Sequence, residues 1–123
     1  MPFLQLLIND VAVYLLLMAL YVVKAKPIKE RLTSLRKELD SGDISKLTPY
    51  GEELHQSLQG AKVDSMGGGY AYWVEEDYCS PPLAMERERV LDRYFENLTV
   101  NPVGSREKGW RTIPAKSSLW EQT

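Results

Sequence analysis

Several side chains in this 123-residue sequence are of types that can carry chemistry, and their spacing limits what chemistry that is. Asp10, with Asn9 beside it, interrupts a long apolar run, where an ionised carboxylate costs a few kcal/mol unless it is paired or reaches a polar surface. The pair reads as a packing or headgroup contact with neighbouring helices rather than as a proton relay, because a lone helix has no pathway to line. Cys79 is the single cysteine and His55 the single histidine. One of each supports neither an internal disulfide nor a four-ligand Cys/His zinc centre. Gly67, Gly68 and Gly69 lead into Tyr70 without the Lys-Ser/Thr of a phosphate loop, and read as a turn. Glu75, Glu76 and Asp77 follow Tyr70, Tyr72 and Trp73 and precede Tyr78, a mixture that attracts cations through ring faces and carboxylates. The same residues also suit an extended arm whose rings anchor in a partner protein, and that is the reading we adopt. In the run from Glu86 to Glu96, acids and bases alternate without a positioned base, so the run reads as a solvated or partner-facing helix side. No catalytic residue, metal ligand or cofactor site emerges, and the expectation is a non-enzymatic protein without a cofactor.

The elements that would position these groups divide the chain in two. Of the first 23 residues, 19 are apolar, whereas the remaining 100 hold about 35 of the 44% apolar total. Residues 3–23 have the length of a transmembrane helix, since about 20 residues at 1.5 Å rise cross roughly 30 Å of hydrocarbon. No Lys or Arg precedes the run, which argues for a retained span over a cleaved signal. Lys24, Lys26, Lys29 and Arg31 follow it and place the C-terminal part on the matrix or cytoplasmic side.

Beyond the span, residues 24–60 read as extramembrane amphipathic helices. Ile28, Leu32, Leu35 and Leu39 form one stripe, stopped by Ser41-Gly42. A second helix begins at Thr48-Pro49 and ends near Gly60. Residues 61–80 read as the Gly/aromatic extended segment, and 81–98 as a charged amphipathic helix in which Leu83, Val90, Leu91, Tyr94 and Leu98 share a face. Residues 99–123 read as an extended tail with Trp110 and Trp120 as isolated rings. The expected fold class is therefore mainly α: one N-terminal transmembrane helix, two or three extramembrane helices, an extended aromatic arm and an extended tail, with no independent globular core. Asp10, Leu32, Leu35, Tyr72, Trp73, Tyr94, Trp110 and Trp120 are the candidate partner-binding residues. A net charge of −2 with scattered bases argues against nucleic acid as a partner.

Met85-Glu86-Arg87-Glu88-Arg89, followed by Asp92-Arg93-Tyr94-Phe95, resembles a segment of the MWFE-type single-span accessory subunit of mitochondrial respiratory complex I. The resemblance implies a non-catalytic assembly subunit of the respiratory chain in the mitochondrial inner membrane. Its partners would be core and accessory subunits and membrane lipid, with the flavin, iron–sulfur and quinone chemistry of electron transport on other chains. An accessory subunit of ATP synthase or of another respiratory complex, or a bitopic scaffold recruiting soluble partners, is the alternative.

Overall fold

The structure is a computed structural model that describes residues 19–122. Strand β1 (Leu20–Pro27) leads through a 3-10 turn into helix α1 (Leu32–Ser41), then α2 (Gly51–Gln59), β2 (Lys62–Asp64) and β3 (Tyr70–Glu76). Helix α3 is a continuous helical run made of Ala84–Glu86, a wide π turn over Arg87–Leu91, and Asp92–Tyr94. Strand β4 (Phe95–Pro102), helix α4 (Arg106–Thr112), strand β5 (Ser117–Ser118) and a final 3-10 turn complete the order. The sheet runs β4-β1-β3-β2-β5 with antiparallel pairing between neighbours.

The first correction falls on the expected span. Leu20–Val23, its last four residues, are the start of β1, paired on one side with β3 (Val22↔Val74, Val23↔Trp73) and on the other with β4 (Val23↔Val100). A strand flanked on both sides and covered on both faces is apolar without alternation, and over a short run that pattern is indistinguishable from a buried or membrane helix. Residues 3–18, Asp10 among them, lie outside the described residues. Among the described residues no helix is long and apolar enough to cross a membrane. A helix over 3–23 is therefore overturned. With it go the mainly α class, the single-span accessory role in a respiratory or other membrane complex, the inner-membrane placement and the resemblance to the complex I subunit.

The expectation of no independent core is also corrected. Val23, Ala25, Ala71 and Trp73 project from β1 and β3 onto Leu32, Leu35 and Leu39 of α1, Leu54 and Leu58 of α2, and Val90, Leu91 and Tyr94 of α3. The Trp73 ring meets Phe95 at 5.0 Å between centroids, a tilted arrangement. On the opposite sheet face, Tyr72 and Val74 pack with Ile113 and Ala115 beyond α4. Gly109 allows that approach, because a Cβ there would lie 2.8 Å from Val74 Cγ2. Few apolar residues suffice because nearly every one is placed inward, on two faces of one sheet.

Helix α1 stops where the sequence signals it, at Gly42 in the left-handed conformation (φ 82°), whose N–H returns to Leu39. Within residues 61–80, β2 and β3 are strands of this chain's own sheet. The charged helix ends at Tyr94, and from Phe95 the chain is strand β4. In the expected tail, residues 106–112 are helix α4, capped by Ser105 Oγ on Lys108 N–H at 3.1 Å.

Candidate functional site

The residues with unexplained chemistry meet where β3 ends and α3 begins. Trp73 and Glu75 point to the same side of β3, as residues two apart must, and both are fully buried. Trp73 Nε1–H donates to Glu75 Oε1 at 2.9 Å, while Glu75 Oε2 has no donor. Asp77, just past the strand, is held by its own N–H on Ala19 O at 2.8 Å. Its Oδ2 accepts the N–H groups of Cys79 (3.0 Å) and Leu83 (2.6 Å). Leu83 is left-handed (φ 64°), an unusual conformation for a leucine, and its side chain is fully buried. That turn reverses the chain so that the first turn of α3 carries Glu86 back against Glu75 and Asp77.

Glu86 is fully buried, and neither of its carboxylate oxygens has a donor. It lies within hydrogen-bonding reach of the carboxyl groups of both Asp77 and Glu75. Burial first, and then the neighbouring Asp77, push its pKa from 4.5 up to about 7. Burial and the charge of Glu86 hold Glu75 well above the usual carboxylate range. Burial also raises the Cys79 thiol, against a hydrogen bond from the Met85 backbone. Asp77, Cys79 and Glu86 each offer one ligand atom, and the three atoms lie within 4.8 Å of one another.

A cleft of about 350 Å³ opens beside this cluster, lined by Tyr50, Glu53, Glu76, Asp77, Tyr78 and Cys79, with Pro49 and Met85 at its sides. The Tyr50 phenol is raised by burial. Glu53 on α2 is neutralised by a two-pronged pair with Arg106 of α4 (2.9 Å each) and accepts the Glu76 N–H at 2.7 Å, which fastens the cleft wall to the sheet. A second cleft of similar size, between the end of β1 and Leu119, presents Lys29 as its single charged side chain and no buried acid. The chemistry concentrates at the first.

The partner-binding candidates are placed differently. Leu32, Leu35, Trp73 and Tyr94 lie in the main core, and Tyr72 lies in the smaller cluster. Tyr94 Oη–H donates to Glu38 Oε2 at 2.7 Å, which ties α3 to α1. Trp110 and Trp120 are half-buried against the cores, and Trp120 Nε1–H donates to Leu58 O at 2.7 Å. Asp10 lies outside the described residues.

Of the acids noted in sequence, Glu75 and Asp77 enter the site, and Cys79 and Glu86 join them. Glu86 carried a legible signal: three residues after Leu83 and four before Val90, it falls in phase with the apolar face of its helix rather than with the charged one. Glu75 alternates in phase with Ala71 and Trp73, which marks it as inward-facing. No protein-family model, curated protein or solved structure matches the chain, so its chemistry has to be read from this geometry.

Proposed function

We propose that this chain is a cation-binding domain, whose ligand enters the acidic cleft and is held against Asp77 and Glu86. The observation that carries the reading is the set of three buried carboxylate oxygens without a donor: Glu75 Oε2 and both oxygens of Glu86. Buried acceptors left without partners cost about 1–3 kcal/mol each, and ionised ones more. Such a cluster is kept in a fold where protons or a cation compensate it. The aromatic rims at Tyr50 and Tyr78 and the further acid Glu76 favour a cation along the entry route. The function read here is binding without turnover. Isothermal titration of the purified chain at pH 7.5 with Zn²⁺, Mn²⁺, Ca²⁺ and small organic amines tests it. Saturable binding of one cation, weakened at least tenfold by Glu86→Gln, is the expected result; no heat and no thermal stabilisation with any of them would overturn it.

A second reading is favoured by the placement of Glu86, fully buried and within hydrogen-bonding reach of the Glu75 and Asp77 carboxyl groups, an arrangement suited to sharing a proton. Here Glu75 and Glu86 share a proton that reaches a substrate in the cleft through Asp77, which lines it. Infrared difference spectra across pH 5–8 test it: a carboxylic-acid band that titrates near neutrality and survives saturating metal favours proton transfer. Its disappearance on adding metal favours the cation.

A further inference from the structure

Resting on the cation-binding reading, we infer that the ligand is a divalent transition metal of the zinc class, bound by Asp77, Cys79 and Glu86 with a coordination position left open to the cleft. The donor set is the first reason. Calcium and magnesium select oxygen-only shells of six or more ligands, whereas two carboxylates with a thiolate suit a borderline metal at low coordination number. Geometry is the second. Around a tetrahedral ion with bonds of about 2.0–2.3 Å, ligand atoms sit about 3.3–3.8 Å apart. The three ligand atoms are already within 4.8 Å of one another, so closure needs shifts of about 1 Å and side-chain rotation rather than refolding.

The surroundings supply what such a site needs. Both backbone hydrogen bonds to Asp77 fall on Oδ2, which fixes the carboxylate in place. Asp77 and Cys79 come from one short turn and Glu86 from the first turn of α3, so a loop and a helix present the donors. Glu75 stands behind Glu86 as an outer carboxyl group, oriented in turn by the Trp73 indole. Its buried, donor-free Oε2 is an observation separate from the acid–thiol cluster itself, and it marks the same spot as deficient in positive charge. Cys79 and Asp77 also line the cleft, so the fourth position faces solvent and Tyr50 rather than the core. Three protein ligands with one open position is the arrangement of zinc sites that exchange an outside ligand, in contrast to closed structural sites. Binding expels the thiol proton to solvent, since the thiolate is the ligand.

The test uses the full chain, reduced and stripped of metal, titrated with Co²⁺ and then with Zn²⁺. Expected are one equivalent of Co²⁺, an intense near-ultraviolet band from thiolate-to-cobalt charge transfer, visible bands of a low-coordinate ion, and displacement by Zn²⁺. Cys79→Ser should abolish the near-ultraviolet band and weaken Zn²⁺ binding at least tenfold, while Mn²⁺ binding changes less than threefold. Glu86→Gln should weaken both metals, with circular dichroism confirming that each variant is folded. Cobalt bound without a thiolate band, or Zn²⁺ affinity indifferent to Cys79→Ser, would overturn the thiolate site and leave the cation-binding reading standing. Failure of every cation to bind would overturn both.

Discussion

Replacing Glu86 by glutamine keeps the shape of the side chain, removes its charge and adds a donor facing the Glu75 and Asp77 carboxyl groups. In the metal-free wild type, the Glu86 pKa rises from 4.5 in the unfolded chain to about 7 in the fold, chiefly because the group is buried. Between these values the folded state holds a proton that the unfolded state has released, so stability falls as pH rises through that window and levels off above it. At about 1.4 kcal/mol per tenfold change in proton affinity, the ceiling is about 3 kcal/mol. Relaxation of the packed surroundings takes back part of this, which leaves about 1–2 kcal/mol. Glu75, whose pKa is raised in the same direction, adds to the slope. Urea denaturation followed by tryptophan fluorescence, with EDTA present, at pH 5, 6, 7 and 8 measures the effect. Wild type should lose stability chiefly between pH 5 and pH 7, and Glu86→Gln should lose roughly half as much and be the more stable protein at pH 8. Saturating Zn²⁺ at pH 8 should restore the wild type by about 2.7 kcal/mol at one hundred times its Kd. A Glu86→Gln protein that is less stable than wild type at pH 8, or that keeps the whole pH slope, would refute the reasoning that burial without a donor governs this carboxyl.

Trp73→Phe withdraws the donor to Glu75 Oε1 and part of the central ring, and should cost about 2–4 kcal/mol in a denaturant melt; a loss below 1 kcal/mol would mean that the indole N–H is dispensable. Gly109→Ala drives a methyl into Val74 and should destabilise by about 1–3 kcal/mol, so an unchanged Tm would show that α4 can lift from the sheet without cost. Leu54→Ala, in a fully buried position of α2, should cost about 2–5 kcal/mol if α2 belongs to the main core. Arg106→Ala should cost less than about 1 kcal/mol in stability, because the pair is half-exposed, yet it frees Glu53 at the cleft wall and should tighten cation binding two- to fivefold by titration.

Local periodicity determined some of this protein from sequence alone. The Leu32, Leu35 and Leu39 stripe places α1 and Gly42 ends it; the close of α2 near Gly60 and the extended aromatic run at β3 are equally local, set by propensity and turn chemistry within a few residues. The fate of Leu20–Val23 is not local. The same apolar letters suit a bilayer or the middle of a sheet, and only pairing with β3 and β4, about 50 and 80 residues away, chooses between them. The rings of Trp73 and Tyr94 were visible as apolar anchors, but whether an anchor packs on a partner or on its own chain depends on the same long-range pairing. The candidate site lies between these cases. The phases of Glu75 and Glu86 with their apolar neighbours mark both as inward-facing in one dimension, yet their encounter with Asp77 and Cys79 is decided by the left-handed turn at Leu83 and by the docking of α3 on the sheet. Burial of charge is a three-dimensional property. A sequence can show that a carboxylate points inward, but only the packed structure decides whether a donor waits there for it.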